Sequence, residues 1–174
     1  MSKAVFMGRA GTITAPQKYG VIDPSSLEVF SGVWEALNTM GQRGLFLAVV
    51  GSEKAALPNI DYPALLVTTE QYIANMVAYP ILFKLCVHHI AAKCGCRLPQ
   101  PGLITAFQEM LNLDLASSAM IASKETEAEG ARQAELPVIV RVSTGRGEWS
   151  KASEELPIYD TLLEASQHVL EQLT

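Results

Sequence analysis

Four residues that favour soft metals stand close together near the middle of this sequence: Cys86, His88, Cys94 and Cys96, spaced C-x-H-x5-C-x-C. Three cysteines and one histidine form a common tetrahedral set for zinc. The two short pairs can pinch one ion from both ends of a loop covering about residues 86–97. A closed four-ligand site is structural, because a catalytic zinc keeps one position open. His89 is adjacent, and spacing alone leaves open whether His88 or His89 is the ligand. Lys93, Gly95 and Arg97 surround the cysteines, which is loop composition and not core composition. The chain has no other cysteine, and its N-terminus, Met1-Ser2-Lys3-Ala4-Val5-Phe6, lacks the apolar stretch of an export signal. Metal or thiol chemistry in a reducing, cytoplasmic compartment is therefore expected, not a disulfide framework.

A loop of this kind needs a scaffold, and the rest of the chain reads as alternating strands and helices. Ala4–Met7 is a short buried strand that runs into Gly8 and Gly11. Ser31-Gly32 opens a helix with Val33, Trp34, Leu37 and Met40 on one face, closed by Gly41 and Gly44. Leu45–Val50 is apolar on both faces, as parallel strands covered on both sides are. Between residues 55 and 81 the pattern is weak, with a helix over Glu70–Ala78 and then a strand over Pro80–Leu85. Pro101-Gly102 opens a helix with Leu103, Ala106, Phe107, Met110 and Leu111 on one face. Ser118–Ala122 reads as a strand, Glu125–Glu135 as an exposed acidic helix and Pro137–Val142 as a buried strand. Residues 143–158 read as a surface loop, and an amphipathic helix bearing Leu162, Leu163, Val169, Leu170 and Leu173 ends the chain. This order predicts an α/β fold: a three-layer sandwich around a mostly parallel sheet, forming a single domain over residues 1–174.

Composition removes several function classes. The chain has 174 residues, of which 13 are basic and 18 acidic, a net charge of −5 that argues against nucleic acid as a partner. Its apolar share of 49% against 18% charged is that of a folded chain, and no apolar run reaches the roughly 18 residues of a membrane span.

The junction Val5-Phe6-Met7-Gly8-Arg9-Ala10-Gly11-Thr12-Ile13 resembles the first motif of the haloacid dehalogenase superfamily of phosphatases, where a strand ends in D-x-D-G-T. Tyr19, Pro24, Phe30, Gly32-Val33 and Ala36-Leu37 follow at the spacing of its zinc-loop branch, which contains heptose bisphosphate and histidinol-phosphate phosphatases. Cys86-Val87-His88 with Cys94-Gly95-Cys96-Arg97-Leu98-Pro99 resembles that branch's zinc loop, most closely the short loop of the histidinol-phosphate type. Pro101-Gly102, Met120-Ile121-Ala122-Ser123-Lys124 and Val140 to Gly147 carry the likeness across nearly the whole chain; only residues 55–81 fit poorly.

The resemblance implies a Rossmann-like sheet with a minimal cap, a structural zinc, and a set of catalytic positions that this chain fills with inert residues. Gly8 stands where the family has its nucleophilic aspartate, and Ala10 where it has its general acid and base. Gly51 stands at the phosphate-holding Thr/Ser, with Ser52 one residue along, Leu98 at the lysine, and Ser123 at a magnesium-ligating aspartate, with the acidic Glu127 four residues on. Magnesium prefers carboxylate oxygens, so Mg2+ is not expected. The expected function is that of a pseudophosphatase serving as a structural or regulatory interaction subunit, with a protein partner or a second copy. One alternative is a non-hydrolysing sensor that takes a phosphorylated small molecule on Arg9, Arg97 and Lys124. Another is a residual phosphatase of the same type.

Overall fold

The computed structural model describes residues 1–16, 24–52, 62–145 and 149–173. The likenesses at Tyr19 and Gly147, and residues 55–61 of the weakly patterned stretch, lie outside the described residues.

Six parallel strands form one sheet in the order β3-β2-β1-β4-β5-β6: β1 (Ala4–Met7), β2 (Phe46–Ser52), β3 (Ile81–Cys86), β4 (Ala119–Ala122), β5 (Val138–Val142) and β6 (Ile158–Tyr159). β1 and β4 are buried at every position, since they are central and covered on both faces. Alternate residues of β1 to β5 feed two cores. Val5, Met7, Leu47, Val49 and Ile121 face one core, together with α1 (Val33–Gln42) and α6 (Leu162–Leu173). Ala4, Phe6, Ala48, Val50 and Met120 face the other, with α3 (Gly102–Leu111) and α4 (Glu125–Gln133). Phe6 and Phe107 meet edge to face there, 6.1 Å between ring centroids.

Three expectations need correction. The helix expected at Glu70–Ala78 is α2 (Tyr62–Ala74), which begins earlier and carries Pro63 in its first turn, where a missing N–H costs nothing. The helix at 125–135 is not an exposed face: Glu127, Ala128, Gly130 and Ala131 are buried against the sheet. The expected loop 143–158 contains α5 (Lys151–Glu154) and β6. Ser150 caps α5 by accepting from the Ser153 N–H, and Arg141 of β5 donates to the Glu154 and Leu156 carbonyls at its other end. Smaller differences concern ends: Gly41 lies within α1, and β2 runs on to Ser52. Among the described residues no helix is long and apolar enough to cross a membrane.

Strand order reverses between β1 and β4, since β2 lies on one side of β1 and β4 on the other. A crevice forms at such a switch point beyond the carboxyl ends of the strands, which is where open α/β sheets bind ligands. Gly8 and Ser123 are the first residues past the ends of β1 and β4, and Met7 is in register with Ile121.

Candidate functional site

The cysteine cluster forms where β3 leaves the sheet. Cys86 is the last residue of β3 and is buried; the chain then makes a short 3-10 turn at Ile90–Ala92 and returns through Cys94 and Cys96 toward α3. The donor atoms of Cys86, His88, Cys94 and Cys96 all lie within 4.8 Å of one another. Four edges of the set measure 3.6 Å (Cys86 Sγ to His88 Nδ1), 3.5 Å (Cys86 to Cys94), 3.4 Å (Cys94 to Cys96) and 3.2 Å (His88 Nδ1 to Cys96). Zinc–sulfur bonds of about 2.3 Å and zinc–nitrogen bonds of about 2.0 Å at tetrahedral angles put donors roughly 3.5–3.8 Å apart, so the set fits one zinc ion with only slight expansion.

The structure also separates the two histidines. His88 joins the cluster, while His89 caps the 3-10 turn, its Nδ1 accepting from the Ala91 N–H at 3.2 Å. Desolvation resists ionisation of Cys94, but hydrogen bonds from the Cys96 and Cys86 thiols and from backbone N–H groups bring it down to about 6. Desolvation and the adjacent sulfurs push Cys96 up to about 12. A thiolate held by neighbouring S–H groups is a site from which an arriving cation displaces protons.

The three cations each have a local task. Arg97 donates from its guanidinium to the His88 carbonyl, bracing the cysteine loop across its neck. Arg9 is 4% exposed; its Nη1 lies 3.5 Å from Thr14 Oγ1, and its charge acts on the half-buried Glu70 of α2. Burial pushes the Glu70 carboxyl up and Arg9 pulls it down. Lys124 is the N-cap residue of α4, and its charge favours the ionised form of Glu127. Ser52 Oγ accepts from the Leu98 N–H at 3.1 Å, so it ties the end of β2 to the cysteine loop.

At the ends of β1 and β4 the space beside Gly8 is taken by a buried side chain. Glu127 is 2% exposed, and its Oε2 accepts from the Ser123 N–H at 2.7 Å and lies 3.1 Å from Ser123 Oγ. Its Oε1 lies 2.2 Å from where a β-carbon on Gly8 would stand. No side chain fits at position 8 unless the Glu127 carboxyl moves. Gly11 is pinned likewise: its φ is +96°, and a β-carbon there would meet Ser123 Oγ at 2.8 Å. Ser123 Oγ also reaches the Ala10 carbonyl at 3.2 Å, and Thr144 donates to the Gly11 carbonyl at 2.7 Å, so the turns after β1, β4 and β5 are stitched together.

Sequence reasoning placed Glu127 on an exposed acidic helix downstream of Ser123 and gave it no contact. Its contact with the β1 turn joins residues far apart in the chain, and the one available signal was a glycine at a strand end with an acid four residues after Ser123. Burial raises the Glu127 carboxyl above its ordinary value of 4.5, against the opposing pull of Lys124 and the Ser123 bonds. A raised folded value means that the native state holds this proton more tightly. Its contribution to stability is complete below about 4.5 and is lost as pH rises through the folded value. Glu127→Gln keeps an oxygen for Ser123 and has no proton to lose. Urea unfolding from about pH 5 to about pH 8 should therefore show stability declining more in the native protein than in Glu127→Gln; parallel curves would contradict this.

Comparison with known proteins places this geometry. No family model matches the sequence. The D-glycero-beta-D-manno-heptose-1,7-bisphosphate 7-phosphatase of Vibrio cholerae is 26% identical over 155 residues, covering 82% of each chain. That of Photorhabdus laumondii is 29% identical over 154 residues, covering 82% of this chain and 81% of the relative. Among solved structures, a D,D-heptose 1,7-bisphosphate phosphatase from B. bronchiseptica, complexed with magnesium and phosphate, superposes with a TM-score of 0.80 at 17% identity, covering 98% of this chain and 99% of that one. The fold is haloacid dehalogenase-like. A second such phosphatase, from Burkholderia thailandensis, superposes with a TM-score of 0.66 at 18% identity over 97% of this chain. Within this haloacid dehalogenase-like frame the crevice at the β1–β4 switch point is the position to compare with those phosphatases, and the Cys/His cluster is a second, separate feature beside β3.

Proposed function

We propose that this chain is a catalytically inert relative of the heptose bisphosphate phosphatases that keeps the scaffold and its zinc and acts as an interaction subunit. The observation that carries this reading is the Glu127 carboxyl lodged against Gly8, in the space that a nucleophilic side chain at the end of β1 would need. Three further features support it. Gly8, Ala10 and Ser123 offer no carboxylate to a magnesium ion, and Glu127 is buried and committed to Ser123, so this donor set does not suit magnesium. Without a nucleophile at position 8 there is no covalent route, and without an acid at position 10 nothing protonates a leaving alkoxide. The four Cys and His donors that could hold zinc, by contrast, are all drawn together.

An anion sensor is less well supported, because the Ser123 N–H is already taken by Glu127 and the guanidinium of Arg97 is turned to the His88 carbonyl. The test is hydrolysis of heptose bisphosphate and of an aryl phosphate, with and without magnesium. Release of phosphate should not exceed that of buffer alone. Magnesium-dependent turnover that disappears in Ser123→Ala or Glu127→Gln would overturn the proposal.

A further inference from the structure

The three cysteines are not equivalent. Cys86 is buried at the end of β3, and its backbone is held in the sheet opposite Ser52 of β2. Cys94 and Cys96 are only half-buried and belong to no strand or helix. Their Sγ atoms lie 3.4 Å apart. Gly95 between them is exposed, and a β-carbon added there would meet nothing within 4 Å. The turn that leads to the pair gives no cover: every residue from Val87 to Lys93 is exposed, Ile90 by 71%. Two half-exposed sulfurs side by side on such a loop are open to a small solute. Residues two apart in a chain span at most about 7 Å between α-carbons, which overlaps the range of about 4.4–6.8 Å found in disulfides. A glycine between them supplies the backbone freedom that so small a ring needs. Binding zinc also keeps both sulfurs as thiolates, the form that attacks electrophiles.

We infer that Cys94 and Cys96 are a redox modification site: a hydroperoxide joins them in a disulfide, zinc leaves, and the loop between β3 and α3 loses its shape until a dithiol restores the pair. In the first step the thiolate of one cysteine attacks a peroxide oxygen. An S–O bond forms, the O–O bond breaks and hydroxide leaves. The second thiolate then attacks the sulfenic sulfur. The S–S bond forms, the S–O bond breaks and a second hydroxide leaves. The two sulfurs together give up two electrons, the peroxide is reduced, and two protons from solvent turn the hydroxides into water. Cys86 and His88 remain, two donors where zinc takes four, so the ion dissociates. Cys86 lies as near to Cys94, at 3.5 Å, but the pair two residues apart closes a smaller loop and loses less chain entropy once the metal no longer holds the sulfurs together. The effect reaches the sheet. Arg97, directly after Cys96, braces the His88 carbonyl, and the Leu98 N–H is bonded to Ser52 Oγ at the end of β2. Loss of the metal loosens both ties.

The inference rests on the zinc and not on the loss of hydrolysis, and its test reads metal and mass. Zinc-loaded full-length protein is treated with millimolar hydrogen peroxide, and released metal is followed with a chromogenic chelator. Release of all the bound zinc is expected, and dithiothreitol with added zinc should restore the original content. Trypsin cuts after Lys84, Lys93 and Arg97, so Cys86 and the pair fall on different peptides, Leu85–Lys93 and Cys94–Arg97. The shorter peptide should be lighter by the two hydrogens that a disulfide removes, with Cys86 still open to alkylation. Amide exchange at Leu98 should quicken in the oxidised protein. A chain that holds no zinc before oxidation would overturn both the zinc assignment and this inference. Zinc that survives the peroxide, a disulfide that links the two peptides, or a sulfinic acid that dithiothreitol does not reverse would overturn this inference alone.

Discussion

Cys94→Ser is expected to abolish stoichiometric zinc and to free the loop between β3 and α3. The loop has almost no core of its own: from Val87 to Lys93 every residue is exposed, and only Cys86 is buried. Besides the metal donors and the bonds within its 3-10 turn, it is held by bonds such as Arg97 to the His88 carbonyl, Leu98 N–H to Ser52 Oγ, and Gly102 N–H to the Gly95 carbonyl. A metal that binds only the folded loop adds about 4 kcal/mol when present at a thousand times its dissociation constant. For a chain of this size that corresponds to about 8–16 °C in melting temperature. Metal analysis should therefore find one zinc per chain in the native protein, and chelation should expose Lys93 and Arg97 to trypsin. His88→Ala should match Cys94→Ser, while His89→Ala, which removes only a cap on a three-residue turn, should retain zinc. Zinc retained in His88→Ala but lost in His89→Ala would reverse the assignment, and a native protein purified without any metal would remove the basis for it.

That cluster was legible in the sequence because its ligands are local: two pairs within one loop, at a spacing that few other uses of cysteine require. The strands were legible for a related reason, since β1, β2, β4 and β5 are short apolar runs bounded by glycine, proline or serine. α2 was not, because Val67 and Tyr72 point to solvent while Leu66 and Ile73 point inward, so apolar residues circle the helix and the 3.6-residue period fades. α5 and β6 are shorter than any period can register. The acidic run in α4 misled for a more instructive reason. Glu125 does what surface acids do, accepting from Ser150 and Ser153 and pairing with Arg132 at 3.6 Å. Glu127, two residues on, is rotated into the molecule. Composition cannot tell these two glutamates apart. Only the position of the turn after β1, which arrives beside α4 through the sheet, gives Glu127 its place.

That placement makes a quantitative demand on Gly8. Gly8→Ala should cost about 1–3 kcal/mol, the usual range for forcing atoms into a filled interior, because its β-carbon would stand 2.2 Å from Glu127 Oε1. Gly8→Asp should cost more, since a displaced Glu127 leaves the Ser123 N–H without its acceptor, worth about 1–3 kcal/mol, and sets two carboxyl groups in one buried site. Glu127→Ala alone should also destabilise, by loss of that acceptor and by the cavity it leaves. The two changes occupy the same space, so their effects should not add: Gly8→Asp/Glu127→Ala should be more stable than the sum of the single variants by about 1–3 kcal/mol. Urea unfolding of the four proteins measures this coupling directly. Phosphatase activity should not return in the double variant, because Ala10 still supplies no proton and Ser123 no metal-binding carboxylate, and general acid–base help alone is worth about 10²–10⁴-fold. Strict additivity of the two substitutions would mean that Glu127 does not fill the place beside Gly8, and the reading of the crevice as closed by its own carboxyl would fail with it.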